Sequence, residues 1–369
     1  MKRGLIALLV VVLMSTMVFA NGSSEASAPA SSGSAKKQTI TLRIGSGHST
    51  SNPWITALED YFVKNVSDRV SKETNYQINW VKNYGGSVIT LGNELQGVQS
   101  GLVDIGCTIL VFEASRLPLV DMVYSMPFSC SDPLIVADVI KKMYAEYPEF
   151  TTVYEQKYNQ HYLGIGVSDP YGFFSTKPVK SLKDVAGMKI GAAGINLAWI
   201  EGSGAAGVQT SLNDTYQNLQ TNVCQATIQP THSCVNLKVY EVAPYYLDAN
   251  FNVVPFNSIT VNKQTWDSLP AEVKKILTEV GDGYLDYEAN YINTVHAEDL
   301  KAIKAVGGTV ITLSREEQER WAASIPDIVH DLVKRLDAAG YKGSAIVGRY
   351  YQLLEEKGVK RVRNWNISK

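Results

Sequence analysis

The sequence predicts an α/β protein of two lobes that are linked by a long helix. Strand and helix patterns alternate along the chain, and they do so in two separate stretches. A length of 369 residues exceeds that of one typical domain. One helical pattern near the C-terminus is also longer than a domain of this size is wide. The predicted architecture is therefore two α/β lobes with a long helix that spans both.

Composition excludes two broad classes of protein. A chain that is 45% apolar and 19% charged can bury a substantial core, which excludes a fully disordered protein. Its 34 basic and 36 acidic side chains give a net charge of −2, so no basic excess is present to attract nucleic acid. We therefore expect no nucleic-acid partner, and we expect a monomer.

The first twenty residues resemble a secretory signal peptide. The basic pair Lys2-Arg3 precedes an apolar run, Leu5 to Phe19, that is too short for a comfortable membrane span. Val18-Phe19-Ala20 then offers the small or aliphatic positions that a signal peptidase reads. The pattern predicts a cleaved signal over 1–20 and export to the periplasm; an uncleaved anchor is the alternative. Residues 21–37, rich in Ser, Ala and Gly, predict a flexible leader.

The next stretch predicts a β-α-β-α-β unit. Alternation over Ile40–Ile44 indicates a strand, and a helix with its first turn at Pro53 follows. Tyr76–Val81 is the second predicted strand, and Gly85-Gly86-Ser87 is predicted to open a second helix. Val103–Leu110 is the third predicted strand. This order favours parallel strands with helices on the faces of one sheet.

A second α/β stretch follows Tyr162. Short strands are predicted at Met188–Ile190, Val208–Thr210 and Ala226–Ile228, with helices near Ile195–Glu201 and Asn213–Thr221. We assign the first lobe to 38–166 with about 257–290, and the second to 167–256 with about 291–325. Residues 326–369 are predicted to form C-terminal helices.

The longest pattern predicts one helix from Leu269 to Val306. Apolar residues keep helical spacing throughout, and a straight helix of this length would span roughly 57 Å. Gly307-Gly308 provides its end. The alternative is two shorter helices that meet at Gly281 to Gly283.

Sequence motifs for enzymes and cofactors are incomplete. The run Gly202 to Gly207 matches G-x-G-x-x-G, but it follows a helix and precedes a strand, the reverse of a dinucleotide site. Cys224, His232 and Cys234 lack the paired spacing of a zinc site. His48 could serve as a base, yet no motif supplies a nucleophile or metal beside it. We expect no cofactor, no metal and no catalysis; a secreted α/β enzyme is the alternative.

Four cysteines are too few for a disulfide scaffold. Cys107 with Cys130, or Cys224 with Cys234, could pair in an oxidising compartment, and buried free thiols are the alternative.

Several motifs in order resemble the extracytoplasmic solute-binding subunits of TRAP transporters, the DctP-like family. Asp184 to Ile190 resembles the family's D-x-x-G-x-K-I segment, and Asp214 to Thr221 its acidic-x-Tyr-x-x-Leu-Gln-Thr helix. Tyr240-Glu241-Val242 and the stretch from Gly97 to Gly106 are similar as well. The resemblance runs from about residue 41 to about 321. It implies an α/β, two-lobe periplasmic binding protein (type II-like) with a long helix that spans both lobes. It also implies delivery of a small organic solute to a permease of a small and a large subunit.

The departures from this family concern the solute. Most members have an Arg directly after Lys-Ile, where it grips a substrate carboxylate; here that position is Gly191. A second family Arg falls at Tyr171, and the family's acidic segment reads Gln225-Ala226-Thr227-Ile228-Gln229. Because a buried carboxylate without a cation is costly, we expect a neutral or zwitterionic solute, sugar-like or aromatic. The alternative is an organic acid held by helix N-termini at Ser87 or Asn213, or by Lys189.

Twelve residues are the predicted ligand contacts, and most of them are aromatic or neutral and polar. They are His48, Trp54, Ser87, Thr90, Leu110 and Phe112 from the first lobe, and Tyr171, Gly191, Asn196, Trp199, Asn213 and Gln229 from the second. Structural roles are the alternatives: Trp54 and Trp199 in the core, Asn213 as a helix cap, and His48 and Gln229 as partners of turn backbone.

Overall fold

Two β-sheets, each with helices packed against it, form the structure. The computed structural model describes residues 37–368, so the predicted signal peptide and the leader up to residue 36 lie outside the described residues. The strands are β1 (Gln38–Gly45), β2 (Tyr76–Asn83), β3 (Ile105–Ile109), β4 (Gln160–Val167), β5 (Tyr171–Ser175), β6 (Lys189–Ala192), β7 (Ala206–Gln209), β8 (Ala226–Pro230), β9 (Tyr245–Asp248), β10 (Pro255–Asn262) and β11 (Thr309–Thr312).

The helices divide between the same two sheets and the C-terminal region. They are α1 (Pro53–Ala57), α2 (Lys64–Glu73), α3 (Glu94–Gln99), α4 (Pro133–Glu146), α5 (Glu149–Tyr158), α6 (Thr215–Gln220), α7 (Thr231–Asn236), α8 (Lys263–Ser268), α9 (Ala271–Ala305), α10 (Arg315–Ser324), α11 (Ile328–Ala338) and α12 (Gly343–Glu356). A π-helical segment, Leu58–Val63, joins α1 to α2, so the helix predicted after Pro53 is continuous.

The first sheet has the strand order β2-β1-β3-β10-β4, and it defines the first lobe. β1 pairs in parallel with both β2 and β3, as the β-α-β-α-β pattern predicted. β10 returns from the far part of the chain and lies antiparallel between β3 and β4. All eight residues of β10 are buried because helices cover both faces of the sheet at this strand.

The second sheet has the order β11-β9-β5-β8-β6-β7, and it defines the second lobe. The three short strands predicted in this stretch are β6, β7 and β8, and β6 pairs in parallel with the other two. The chain passes between the sheets from β4 to β5, from β9 to β10 and from α9 to β11. The two-lobe α/β architecture is therefore confirmed.

The helix predicted to open at Ser87 forms only in its later part, as α3, which corrects its predicted start. The chain turns instead through Gly85, Gly86 and Gly92, which all have positive φ angles, and α3 begins only at Glu94. A helix cannot form through residues with left-handed backbone. The Glu94 carboxylate accepts hydrogen bonds from the N–H groups of Gly47 and Gly92, which fixes this turn beside the loop that follows β1.

The long pattern is a single helix, α9, of 35 residues. Its first half packs on β4 and its second half on α7 and β11 of the second lobe. Gly281 is not a bend: a Cβ there would lie 2.0 Å from the Leu163 carbonyl oxygen of β4. Gly283 similarly allows the Tyr61 hydroxyl to approach, with 2.1 Å between that oxygen and a built Cβ. The glycines therefore permit close packing inside a continuous helix.

A buried side-chain amide links the segment between β9 and β10 to the segment around residues 123–129. Asn252, between β9 and β10, donates from Nδ2 to the carbonyl oxygens of Val123 and Met126, and its Oδ1 accepts from the Ser129 hydroxyl. These bonds satisfy backbone groups that lie where regular strand pairing ends.

The four cysteines are free and buried. The structure therefore contains buried free thiols and neither of the two candidate disulfides. Within 37–368, no helix combines the length and the apolar character needed to cross a membrane.

Replacing Gly281 by Ala is expected to lower the free energy of unfolding by about 2–3 kcal/mol, because the new methyl group overpacks the contact between α9 and β4. Gly348→Ala is the matched control. Gly348 also lies within a helix, but its built Cβ would be 3.4 Å from its nearest neighbour, the Ile367 Cδ1 atom. Since Ala favours a helix over Gly by about 0.5–1 kcal/mol, this control should be neutral or stabilising. Chemical denaturation measures both; equal effects would contradict the packing role of Gly281.

Candidate functional site

A small cavity lies between the two lobes, at the carboxyl ends of parallel strands. The loops after β1 and β3 provide the first-lobe wall, and the ends of β6 and β8 provide much of the second. This is the edge at which open α/β sheets bind ligands. The lining residues are His48, Val111, Phe112, Tyr171, Ala193, Leu212, Gln229, Pro230 and Phe256.

The lobes are closed on one another around this cavity. It encloses only about 10 Å³, close to the smallest space that holds a water molecule. The contact is tight at Gly194, where a Cβ would lie 2.4 Å from the Val111 carbonyl oxygen of the first lobe. Gly194 has a φ of 52°, so glycine suits both its backbone and its neighbour.

His48 presents a hydrogen-bond donor to the cavity. Trp54 Nε1 donates to His48 Nδ1 at 3.1 Å, so Nδ1 is unprotonated and the ring proton resides on Nε2. Nε2 is buried and has no partner among the described residues. Burial lowers the pKa of His48 to about 3, which keeps the imidazole neutral at ordinary pH. The site therefore has a fixed, uncharged N–H donor.

Trp54 is itself held in place by contacts with β10 and with the long helix α9. Its ring lies 4.1 Å from that of Phe256, and its carbonyl oxygen accepts from the Tyr284 hydroxyl at 3.0 Å. Tyr284 also lies 3.0 Å from Glu288 Oε1. The Tyr284 hydroxyl in turn accepts a hydrogen bond from Asn257 Nδ2 at 3.2 Å, and burial raises the pKa of Glu288 well above its usual range. Trp54 thus orients His48 from the core and does not line the cavity.

The second lobe contributes amide groups without partners. Gln229 lines the cavity, and its Nε2 makes no hydrogen bond within the described residues. Asn196 is fully buried, and neither its Oδ1 nor its Nδ2 has a partner there. Tyr171 lies against both Asn196 and Tyr124, and burial raises the pKa of its hydroxyl, so Tyr171 is a neutral phenol. Because buried polar groups are normally paired, these atoms mark a place where a polar solute or water binds.

Four of the twelve predicted contacts meet at the cavity, namely His48, Phe112, Tyr171 and Gln229. Trp199 is buried beside them; its Nε1 donates to the Tyr124 carbonyl oxygen at 2.7 Å, and its ring lies 5.1 Å from that of Tyr171. Leu110 is fully buried in the core.

Three predicted contacts lie on the exposed surface and do not line the cavity. Ser87 is in the glycine turn, and Thr90 accepts from the Asn93 amide at 2.8 Å. Asn213 lies in a short 3₁₀ segment, and Asp214 takes the capping position of α6. Neither Ser87 nor Asn213 is therefore the first residue of a helix whose N–H groups face the cavity.

Gly191 occupies the middle of β6, away from the cavity lining. Its carbonyl oxygen accepts from the Thr227 hydroxyl at 3.1 Å. A Cβ at this position would lie 3.0 Å from Thr210 Cγ2 and 3.3 Å from Cys224 Sγ. The space for a long cationic side chain is thus already filled by small residues. Lys189, at the start of the same strand, is exposed and does not line the cavity.

Sequence reasoning missed five lining residues: Val111, Ala193, Leu212, Pro230 and Phe256. Val111 and Pro230 are direct neighbours of predicted contacts, and Ala193 follows β6, so position along the strands could have identified them. Leu212 and Phe256 are ordinary apolar residues in sequence, and only the folded chain brings them here. No cluster of His, Cys, Asp or Glu within residues 37–368 is arranged to hold a metal ion.

Residues 44–336 match the family model for bacterial extracellular solute-binding proteins, family 7. The C4-dicarboxylate-binding periplasmic protein of Vibrio cholerae is 29% identical over 182 residues, 46% of this chain and 53% of the relative. Its counterpart in Rhodobacter capsulatus is 27% identical over 152 residues, 41% of this chain and 45% of the relative. The chain thus matches about half the length of these curated relatives.

Solved structures of TRAP solute-binding proteins have the same fold. One from Desulfovibrio salexigens has a TM-score of 0.74 at 21% identity, covering 86% of this chain and 96% of that one. One from Rhodoferax ferrireducens, in complex with co-purified benzoate, has a TM-score of 0.73 at 17% identity, covering 86% and 98%. A marine metagenome protein with co-purified pyroglutamate has a TM-score of 0.72 at 20% identity, covering 85% and 99%.

His48 is expected to remain a neutral Nε2–H imidazole from pH 8 to pH 5, because its folded pKa is about 3. The unfolded chain takes up this proton near pH 6.5, so acidification below pH 6.5 should disfavour the folded state through this residue. Long-range ¹H–¹⁵N spectra of the ring nitrogens measure the tautomer. Trp54→Phe removes the donor to Nδ1 and should produce a mixture of tautomers. A wild-type His48 that titrates near pH 6.5 would contradict this assignment.

Proposed function

Since the chain belongs to the bacterial extracellular solute-binding proteins of family 7, the DctP family, we propose that it captures a small polar solute between its lobes and delivers it to the small and large subunits of a TRAP permease. Its family and fold are those of solute-binding proteins and not of enzymes. The observation that carries the proposal is the cavity between the lobes, where buried polar atoms lack partners. A bound solute would supply those partners and exclude water on closure.

The proposed solute is neutral or zwitterionic, and sugar-like or aromatic. His48 Nε2 and Gln229 Nε2 offer donors at the cavity, which suits the oxygen atoms of hydroxyl or amide groups. Phe112 and Tyr171 add aromatic surface. None of the residues that line the cavity is cationic, and the Gly191 position has no room for the guanidinium. A carboxylate buried here would lose hydration worth several kcal/mol without gaining an ion pair.

An organic acid is the second candidate. Benzoate and pyroglutamate were co-purified with two proteins of the same fold, and both solutes carry a carboxylate. The donors of His48 and Gln229 could serve a carboxylate oxygen as well as a hydroxyl. Electrostatics favours the first candidate, because neutral donors compensate a buried charge less than an arginine does.

We further propose that the protein is exported through the predicted signal at 1–20 and acts as a periplasmic monomer. The proposed lobes are 38–166 with about 257–290, and 167–256 with about 291–325. The sheets support this division, since their strands change lobe within a few residues of these boundaries, at Val167 and Pro255.

A thermal-shift screen of sugars, polyols, amino acids and organic acids, followed by calorimetry, tests the function and the solute class together. We expect neutral or zwitterionic solutes to raise the melting temperature. Tight binding of a simple dicarboxylate, undiminished at high salt, would overturn the proposed class.

Gln229→Leu should weaken binding of the identified solute about tenfold, because it removes a buried donor that the solute pairs with. Gln77→Leu, at an exposed position on β2, is the matched control and should bind as the wild type does. If both variants have the wild-type affinity in calorimetry, Gln229 is not a ligand contact.

A further inference from the structure

Among the hydrogen bonds between the two lobes, one reaches the loop that carries His48. Asn236, the last residue of α7 in the second lobe, donates from Nδ2 to the Ser51 carbonyl oxygen at 3.1 Å. Ser51 belongs to the loop after β1, the same first-lobe loop that carries His48. We call this contact the cross-lobe bond. It connects the loop that carries His48, whose Nε2–H is the donor of the site, to the second lobe.

The same amide nitrogen is held by His232, one helical turn earlier. Asn236 Nδ2 lies 3.1 Å from His232 Nε2, so its two hydrogens serve His232 and Ser51. The other ring nitrogen, Nδ1, lies 2.9 Å from both carboxylate oxygens of Asp299 in α9, so Nδ1 carries the proton. The arrangement requires a neutral His232 with Nε2 free to accept.

We propose that Asn236, oriented by His232 and Asp299, is a positioning residue for solute capture that fastens the His48 loop to the second lobe when the lobes close. Asn236 does not line the cavity and does not touch the solute. The inference rests on the proposed function, because it concerns the closure that traps the solute.

The geometry also makes the cross-lobe bond sensitive to protonation. An imidazolium at His232 would direct an Nε2–H at the amide nitrogen of Asn236, and two donors cannot pair. The Asn236 amide would then turn its oxygen to His232, which places that oxygen against the Ser51 carbonyl oxygen. Protonation of His232 therefore breaks the cross-lobe bond, and closure weakens as pH falls.

Acidic groups surround His232 within the described structure. Burial lowers its pKa, but the hydrogen bond and charge of Asp299 and the charge of Asp169 outweigh burial, so its pKa is raised above the usual value. Asp169, between β4 and β5, accepts from the His232 backbone N–H at 2.5 Å, and burial raises the pKa of Asp169 to about 7. The other titratable groups near this cluster are His296, Tyr291 and Glu288 of α9, Cys234 of α7, Tyr246 of β9 and Tyr171 of β5. Glu241 bonds to Tyr216 instead.

The test measures closure without a solute, so its outcome does not depend on whether the proposed solute class is right. Spin labels at two exposed positions, Gln77→Cys in the first lobe and Glu201→Cys in the second, report the distance between the lobes by pulsed electron resonance. In the otherwise wild-type chain we expect the closed fraction to be highest at pH 8 and to fall severalfold by pH 5.

Asn236→Ala should lower the closed fraction about three- to tenfold at pH 8 and make it nearly independent of pH, as expected for the loss of one hydrogen bond. Asn79→Ala, which removes an exposed amide on β2, is the matched control and should keep the pH response. His232→Gln places an uncharged acceptor near Asn236, so it should remove the pH response while leaving more closed protein than Asn236→Ala does.

A pH response in Asn236→Ala equal to that of the wild type would overturn the inference, because Asp169 or another group would then be the cause. An unchanged closed fraction in Asn236→Ala at pH 8 would overturn it as well. If the cross-lobe bond behaves as expected while every solute fails to bind, the proposed function fails and the closure role of Asn236 stands. Circular dichroism at both pH values confirms that each variant is folded.

Discussion

The orientation of the His48 ring depends on a single hydrogen bond from Trp54, and the chemistry of the cavity depends on that orientation. The bond commits Nδ1 to the core and leaves one N–H for a guest. Trp54 is in turn supported by Tyr284 of the long helix, which also lies within hydrogen-bonding distance of Glu288. The helix that connects the lobes thus also determines which hydrogen-bonding group the first lobe presents. The position of α9 against β4 relies on Gly281. The packing of this helix on the sheet therefore supports, through Tyr284 and Trp54, the orientation of His48.

Regular structure could be predicted from sequence where one periodicity dominated. The predicted strands, which are β1 to β3 and β6 to β8, and the continuous α9 follow from alternation and from helical spacing, which depend only on which residues are apolar. The strands β4, β5, β9, β10 and β11 were not predicted. The helix start predicted at Ser87 was wrong. The apolar spacing there is helical, but three glycines with positive φ angles lie in the same segment, and those angles cannot be read from hydrophobicity. Gly281 and Gly283 were ambiguous for a different reason. Sequence cannot distinguish a glycine that bends a helix from one that lets a neighbouring residue pack closely against a straight helix.

The candidate site was predictable only in part, for similar reasons. His48 and Phe112 follow strands, Tyr171 begins β5 and Gln229 lies near the end of β8, so topology directs them to the cavity. Trp54 and Trp199 have helical apolar spacing and lie in the core, where their indole nitrogens bond to protein atoms. The unpaired state of Asn196 depends on what surrounds it after folding. Hydrogen-bond satisfaction is a property of three-dimensional neighbours, and no local sequence pattern records it.

The buried thiols have a consequence for the chemistry of the folded chain. A cysteine reacts with oxidants as its thiolate, and burial raises the pKa of Cys130 to about 11 and those of Cys107, Cys224 and Cys234 above the usual value. At neutral pH all four sulfurs stay protonated and are shielded from solvent. A crosslink between any two of them would therefore date from a time before the core had formed. The presence of such a bond would indicate that the chain had folded slowly under oxidising conditions.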